Sequence, residues 1–297
     1  PGIQERSLEF GSGDAWFGNG ICYGPHRDGQ RPGGESPTDA QLAEDLAILQ
    51  QHWQVVRIFG ASGFAERFLR IIREQESPVR VVLGIWIGPE NPEDNRREIE
   101  AGIRLANEFA DVVMAVTVGN DTQVDWSSHV IPVEELITVI REVRAAVAQP
   151  VSTADDYDYW NTPQSQLVAD EVDFVLVHAH PMWHGQQLGD GLAWLEGALD
   201  NIRQVHPDRT VIIGETGWAT RMHADGRRAE LIKGTPGEAE QKIFYEQVRA
   251  WSAEKRIPVF WFEAFDENWK GGPHPDEVEK NWGLYRADRS PKAALDP

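Results

Sequence analysis

Carboxylates recur where the apolar runs of this chain stop. Val118-Gly-Asn-Asp121 closes one run and Val211-Ile-Ile-Gly-Glu215 another, while Asp155 and Asp156 close a third and Glu263, Asp266 and Glu267 follow a fourth. Between them, at similar positions, stand Tyr23, Phe59, Trp86, Tyr157, His178, His180, Trp183, Trp218, Phe265 and Trp269. Two carboxylates facing each other among flat aromatic rings suit cleavage of a glycosidic bond. One protonates the leaving oxygen, the other attacks or stabilises an oxocarbenium-like centre, and sugar rings stack on the aromatics. The chain carries 12 Trp, more than a core requires, which fits platforms with an apolar face and one N–H donor. Competing chemistries lack their parts: there is no Gly-x-Ser-x-Gly elbow, and Cys22 is the one thiol. His178 and His180, with His184, Asp155 and Asp156 nearby, offer a metal-ligand set. Metal-dependent barrels gather ligands from several strands, however, and no other His ends a strand, so neither metal nor cofactor is expected.

These residues converge only if the apolar runs are strands of one parallel sheet. Runs near 20–24, 55–60, 79–88, 112–121, 151–157, 172–180, 210–218 and 259–269 alternate with segments whose apolar residues recur every three or four positions. Helices are predicted over 38–53 (capped by Thr38), 64–74, from about 94 to 109, 133–147, 192–203 and 238–251. Strands that are nearly continuous in apolar residues belong to a sheet covered on both faces. Eight of them alternating with helices in 297 residues predict an α/β fold, a (β/α)8 TIM barrel, as a single catalytic domain over 1–297. A doubly wound open sheet is the alternative, but no Gly-x-Gly-x-x-Gly follows the first strand. The last βα unit reads as short and irregular.

Charge narrows the partners. With 28 Lys and Arg against 48 Asp and Glu the formal charge is −20, which repels phosphate backbones and anionic lipid surfaces. No nucleic acid partner is expected. No apolar run reaches eighteen residues, so no membrane insertion by this segment is expected either. A single cysteine excludes an intramolecular disulfide. The opening Pro-Gly-Ile-Gln-Glu-Arg has no signal-peptide character, and the absence of an initial Met is read as a processed or excised segment.

Val-Gly-Asn-Asp at 118–121 and Gly-Glu-Thr-Gly-Trp at 214–218 resemble the Val-Gly-Asn-Glu and Gly-Glu-Thr-Gly-Trp signatures of glycoside hydrolase family 17, the β-1,3-glucanases and β-1,3-glucanosyltransferases. Ile-Cys-Tyr-Gly-Pro at 21–25, Val-Arg-Ile-Phe-Gly at 56–60, with its valine at 56, and His-Ala-His-Pro-Met-Trp at 178–183 extend the resemblance in register. Phe-Glu-Ala-Phe-Asp-Glu-Asn-Trp-Lys at 262–270 and Glu-Lys-Asn-Trp-Gly-Leu-Tyr at 279–285 look most like the bacterial branch. The resemblance implies a retaining mechanism on β-1,3-glucan, with Glu215 as nucleophile and the residue after Asn120 as acid/base. It also implies an extracytoplasmic location, whether secreted, periplasmic or as an ectodomain. Asn120 is expected to bind the sugar 2-hydroxyl, Arg57 to orient Glu215 and keep it ionised, and His180, where the family pattern has Tyr, to bond substrate or nucleophile. Tyr23, Phe59, Asp155, Tyr157, Trp183, Trp218, Glu263, Phe265, Lys270 and Trp282 complete the expected substrate-binding set.

One position departs from the pattern: the family carries Glu where this chain carries Asp121. The side chain is shorter by one C–C bond, about 1.5 Å. Retaining carboxylates sit about 5–5.5 Å apart, so an unshifted backbone would leave a gap of roughly 6.5–7 Å. Three outcomes follow from the shortfall: a slower acid/base, an intermediate long-lived enough for transfer to a sugar acceptor, or a natural or engineered variant that mainly binds β-glucan.

Overall fold

The computed structural model describes residues 3–12 and 14–295; residues 1, 2, 13, 296 and 297 of the expected 1–297 domain lie outside the described residues. All eight predicted strands form. They are β1 (Asn19–Cys22), β2 (Val55–Ile58), β3 (Arg80–Ile85), β4 (Val113–Asn120), β5 (Val151–Asp156), β6 (Val175–His178), β7 (Val211–Thr216) and β8 (Val259–Trp261). Each pairs in parallel with the next, and β8 pairs with β1 to close the barrel. Strands β2, β5, β6 and β7 are buried at every residue, because side chains alternate between the barrel interior and the helical layer. Burying each Val or Ile in this way is worth about 1.5–3 kcal/mol.

The longer helices are α1 (Asp39–Leu49), α2 (Ala65–Glu74), α3 (Pro92–Glu108), α4 (Val133–Ala146), α5 (Leu188–Val205) and α6 (Glu238–Lys255). Thr38 and Gln41 form a reciprocal capping box on α1. Helix α3 begins earlier than the expected 94, because the Asn91 side chain accepts from the Glu93 and Asp94 amides and Pro92 fits the first turn. Helix α5 begins before the expected 192, at a turn that holds less apolar periodicity than its centre. Two one-turn helices, Tyr157–Trp160 and Gln166–Ala169, follow β5, and a short 3₁₀ turn at Val278–Lys280 follows β8.

Inside the barrel, Cys22, Val55, Val82, Met114, Ala154, Phe174, Leu176, Ile212 and Phe260 pack together. Phe10 joins them from an antiparallel ribbon, Gly11–Ser12 with Ala15–Trp16, that the sequence did not announce. Over this layer the Gly214 carbonyl accepts from Arg57 Nη1 at 2.9 Å and from the Cys22 thiol at 3.3 Å. Glycine is needed there: a Cβ would come within 2.7 Å of Leu176. Burial pushes the Cys22 thiol far up, so it acts as a small apolar residue.

Candidate active site

The C-terminal ends of the strands bring the charged residues together. Glu215, on β7, is 7% exposed. Its Oε1 accepts from Arg57 Nη1 at 3.1 Å and lies 3.3 Å from His178 Nε2, and its Oε2 lies 3.2 Å from His180 Nε2. Arg57, on β2, also donates through Nη2 to Asn120 Oδ1 at 2.7 Å, tying the ends of β2, β4 and β7 into one frame. Burial alone would raise the Glu215 pKa. His178, the His180 hydrogen bond and Arg57 outweigh it and hold the carboxyl well below the usual carboxylate range.

Asp121 faces it from the end of β4, on an unusual backbone. The β4–β5 register shifts between Thr117 and Asn120, and Gly119 and Asp121 adopt φ of +77° and +51°. Among residues with a side chain, Asp and Asn tolerate that left-handed region best. The Asp121 amide donates to Ala154 O at 3.0 Å, and the fully buried Asp155 carboxylate accepts from the Thr122 and Gln123 amides at 2.9 Å each. Burial, followed by the nearby Asp121 charge, pushes Asp155 up to about 7. Asp121 Oδ1 accepts from His178 Nδ1 at 2.7 Å, and Oδ2 from Asn120 Nδ2 at 3.0 Å. His178 is 2% exposed; burial would lower its pKa, but Glu215 and Asp121 together raise it. One imidazole thus stands between the two carboxylates. Its Nδ1 meets Asp121 Oδ1, and its Nε2 lies beside Glu215 Oε1.

Other expected residues fall into place differently. Phe59 is partly exposed, with the Arg57 guanidinium 4.7 Å from its ring. Trp183 is half-buried and stacks on Trp282 at 5.9 Å and 29°. Trp282 itself is fully enclosed, so it backs a platform and presents none. Trp218 is likewise enclosed against Phe244, its indole N–H donating to Thr235 O. Tyr23 is buried with its hydroxyl donating to Asp45 at 2.8 Å, and Phe265 packs between Tyr23, Tyr285 and Arg289. These three are corrected from substrate contacts to core, because they face sideways into the helical layer. Asp155 is corrected to a brace of the turn after Asp121. Glu263 is wholly buried and accepts from Lys270 Nζ at 2.7 and 2.8 Å, while Lys270 also lies 3.0 Å from Glu267; Glu263 is corrected to a structural ion-pair partner. Lys270 keeps a partly open edge, 4.7 Å from the Phe262 ring. Tyr157 joins Trp194 and His184, its hydroxyl accepting from Asn161 and Asn201.

The metal alternative does not assemble around His178 and His180. Among the described residues, the group whose ligand atoms lie within 4.8 Å of one another is Asp156, Asp158 and His184. The sequence placed His178 and Trp86 at strand ends without giving either a catalytic or substrate-binding role, and it did not single out Phe262. His178 had a signal, its two-residue spacing from His180, which puts both on one face of a strand. Phe262 lies 5.7 Å from His180, and Trp86, 37% exposed, meets His129 at 4.6 Å. A cavity of about 590 Å³ lies at the opposite end of the barrel, lined by Leu8, Phe17, Arg80, Met114 and Gln149 among others. Among the described residues, Glu9 is the one carboxylate in its lining.

The BtgE/BtgC glycoside hydrolase domain matches residues 20–283 of the chain. A glucan 1,3-beta-glucosidase of Arthroderma benhamiae is 29% identical over 306 aligned residues, covering 97% of this chain and 92% of that protein. Among solved structures, an endo-laminarinase from Formosa superposes with a TM-score of 0.83 at 24% identity, covering 94% of this chain and 86% of that one. A glycoside hydrolase family 17 beta-1,3-glucanosyltransferase from Rhizomucor miehei superposes at 0.75 with 25% identity, covering 93% and 96%.

Proposed function

The chain belongs to the BtgE/BtgC glycoside hydrolase family, and on that premise we propose that it cleaves β-1,3-glucan, or transfers its chains, by a retaining double displacement. The observation that carries the reading is Glu215, buried and held ionised by Arg57, His178 and His180, facing Asp121 across the barrel mouth. Glu215 attacks the anomeric carbon while Asp121 protonates the departing oxygen. Water or a second glucan, losing its proton to Asp121, then releases the glycosyl group.

Inversion, whose carboxylates stand about 6.5–9.5 Å apart, is the other two-carboxylate route. The chemistry of Glu215 argues for displacement instead. An inverting base must take a proton from water, and a general base works best with a pKa near the operating pH. A carboxylate held far below that range is a poor base, yet its ester is a good leaving group in the second step. A second reading, a barrel that mainly binds glucan, is favoured by Asp121 having both oxygens already engaged, by His178 and Asn120.

The test is incubation with a linear β-1,3-gluco-oligosaccharide, with products resolved by mass and by the anomer first formed. A β-anomer with shorter products means retaining hydrolysis, and products longer than the substrate mean transfer. Binding without products supports the second reading. An α-anomer as first product rules out Glu215 as nucleophile.

A further inference from the structure

One buried titratable group stands between the two carboxylates of the mechanism above. His178 touches both carboxylates: Nδ1 lies 2.7 Å from Asp121 Oδ1, and Nε2 lies 3.3 Å from Glu215 Oε1 without hydrogen-bond geometry. Here one nitrogen is bonded to the acid/base, and the other senses the charge of the nucleophile.

We propose that His178 is a positioning residue that stores the acid's proton and couples its release to the charge on Glu215. The proposal rests on the double-displacement reading. In the resting enzyme the proton sits on Nδ1 and Asp121 is anionic. As Glu215 bonds to the anomeric carbon it becomes an ester, and the imidazolium loses the anion beside Nε2. The proton then moves from Nδ1 to Asp121 Oδ1 and on to the departing oxygen as the C–O bond breaks, leaving His178 neutral. In the second half, the acceptor hydroxyl or water gives its proton to Asp121 as its oxygen bonds carbon. The Glu215 ester bond breaks, the carboxylate charge returns, and the proton passes back to His178. Each turnover restores the starting inventory.

The surroundings of the ring support this direction. Facing His178 are Asp121 from β4, Asp155 from β5, Glu215 from β7 and Arg57 from β2, with His180 two residues on along its own chain. Esterifying Glu215 removes one anion while Arg57 stays, so the balance tips toward proton release at the moment an acid is needed. As Glu215 is regenerated, the balance tips back.

The experiment compares the protein with His178→Asn, whose amide can still donate to Asp121 but holds no titratable proton. Two substrates are used: a β-1,3-gluco-oligosaccharide, and a nitrophenyl β-laminaribioside whose leaving group needs no protonation. The expected result is a loss of about 10²-fold in kcat/KM on the oligosaccharide, with a much smaller loss in the nitrophenol burst, because Arg57 and His180 still hold Glu215. Equal losses on both substrates would mean a merely structural role and overturn the proposal. Because the variant could fold poorly, nitrogen NMR of His178 in the unaltered protein supplies the second measurement. Both nitrogens should be protonated in the free enzyme, with one proton lost when Glu215 is trapped as a 2-fluoroglucosyl ester. A neutral ring in the free protein refutes the proton store whatever the kinetics. Failure of the unaltered protein to turn over either substrate would instead count against the function proposed above.

Discussion

Asp121→Glu adds one C–C bond, about 1.5 Å, at a carboxylate already 2.7 Å from His178 Nδ1. No hydrogen bond survives that advance, so the longer side chain must swing off the ring. It then gives up a charge-assisted hydrogen bond, worth about 1.5–3 kcal/mol. Expressed in the transition state, that loss is a factor of roughly 10 to 150, since about 1.4 kcal/mol is tenfold. The backbone adds a smaller term. Asp121 sits at φ +51°, where Glu lacks the local tolerance of Asp, at a cost on the order of 1 kcal/mol. For a chain of this size that lowers Tm by about 2–4 °C. The variant should therefore fold, melt slightly earlier, and show kcat/KM on β-1,3-gluco-oligosaccharide reduced by one to two orders of magnitude. Circular dichroism and product mass measured side by side check both numbers. A rise in kcat/KM would refute the reasoning: it would mean that aspartate falls short, that the imidazole does not make up the distance, and that the chain is an attenuated enzyme.

Two further substitutions probe the frame around the site. Arg57→Ala strands the buried Glu215 carboxylate, the Gly214 carbonyl and Asn120 Oδ1, so urea unfolding should show a loss of about 3–5 kcal/mol at neutral pH. Glu215 is depressed in the folded state, so its stabilising contribution exists above the ordinary carboxylate pKa of 4.5 and fades as pH falls below it. The gap between the two proteins should accordingly narrow in acid. Asp155→Asn keeps an oxygen that can accept from Thr122 and Gln123 but removes a carboxyl raised from 3.8 to about 7. Between those values the native state holds a proton that the unfolded chain has lost, so the Asp155 contribution to wild-type stability should decline as pH rises from about 4 to 7, by a few kcal/mol. The variant should lack that decline, and parallel slopes in the two proteins would contradict the assignment.

The strands were legible because each apolar run is long enough to cross the barrel and ends in residues that no core would choose. Glu215, Arg57, Asn120 and His180 followed from their place just at or past those ends. The aromatics did not, for a geometric reason. Once a strand has ended, the pleat no longer dictates which way a side chain points, so Trp218 and Trp282 read like Trp183 yet turn into the protein. Asp155 failed similarly, since its partners Thr122 and Gln123 belong to the neighbouring strand's turn and appear only with the β4–β5 register. The ribbon at 11–16 has strands of two residues each, too short for any periodicity to show.

The aspartate at 121 is best understood through that register. Gly119 and Asp121 are both left-handed, with Asn120 between them, so β4 kinks where the pairing with β5 shifts. The turn that follows is pinned from below by Asp155, whose two acceptor bonds fix the Thr122 and Gln123 amides. Asp121 is thereby aimed at His178, and neither its backbone nor its short side chain is free to drift. A glutamate would fit such a left-handed position less well and would reach past the ring. An aspartate meets it at hydrogen-bonding distance, and the ring in turn meets Glu215. The span that a longer side chain would cover is here filled by an imidazole, a group that can hold a charge as well as occupy space. The shorter acid and the histidine therefore make sense as one unit, and neither should be exchanged without the other.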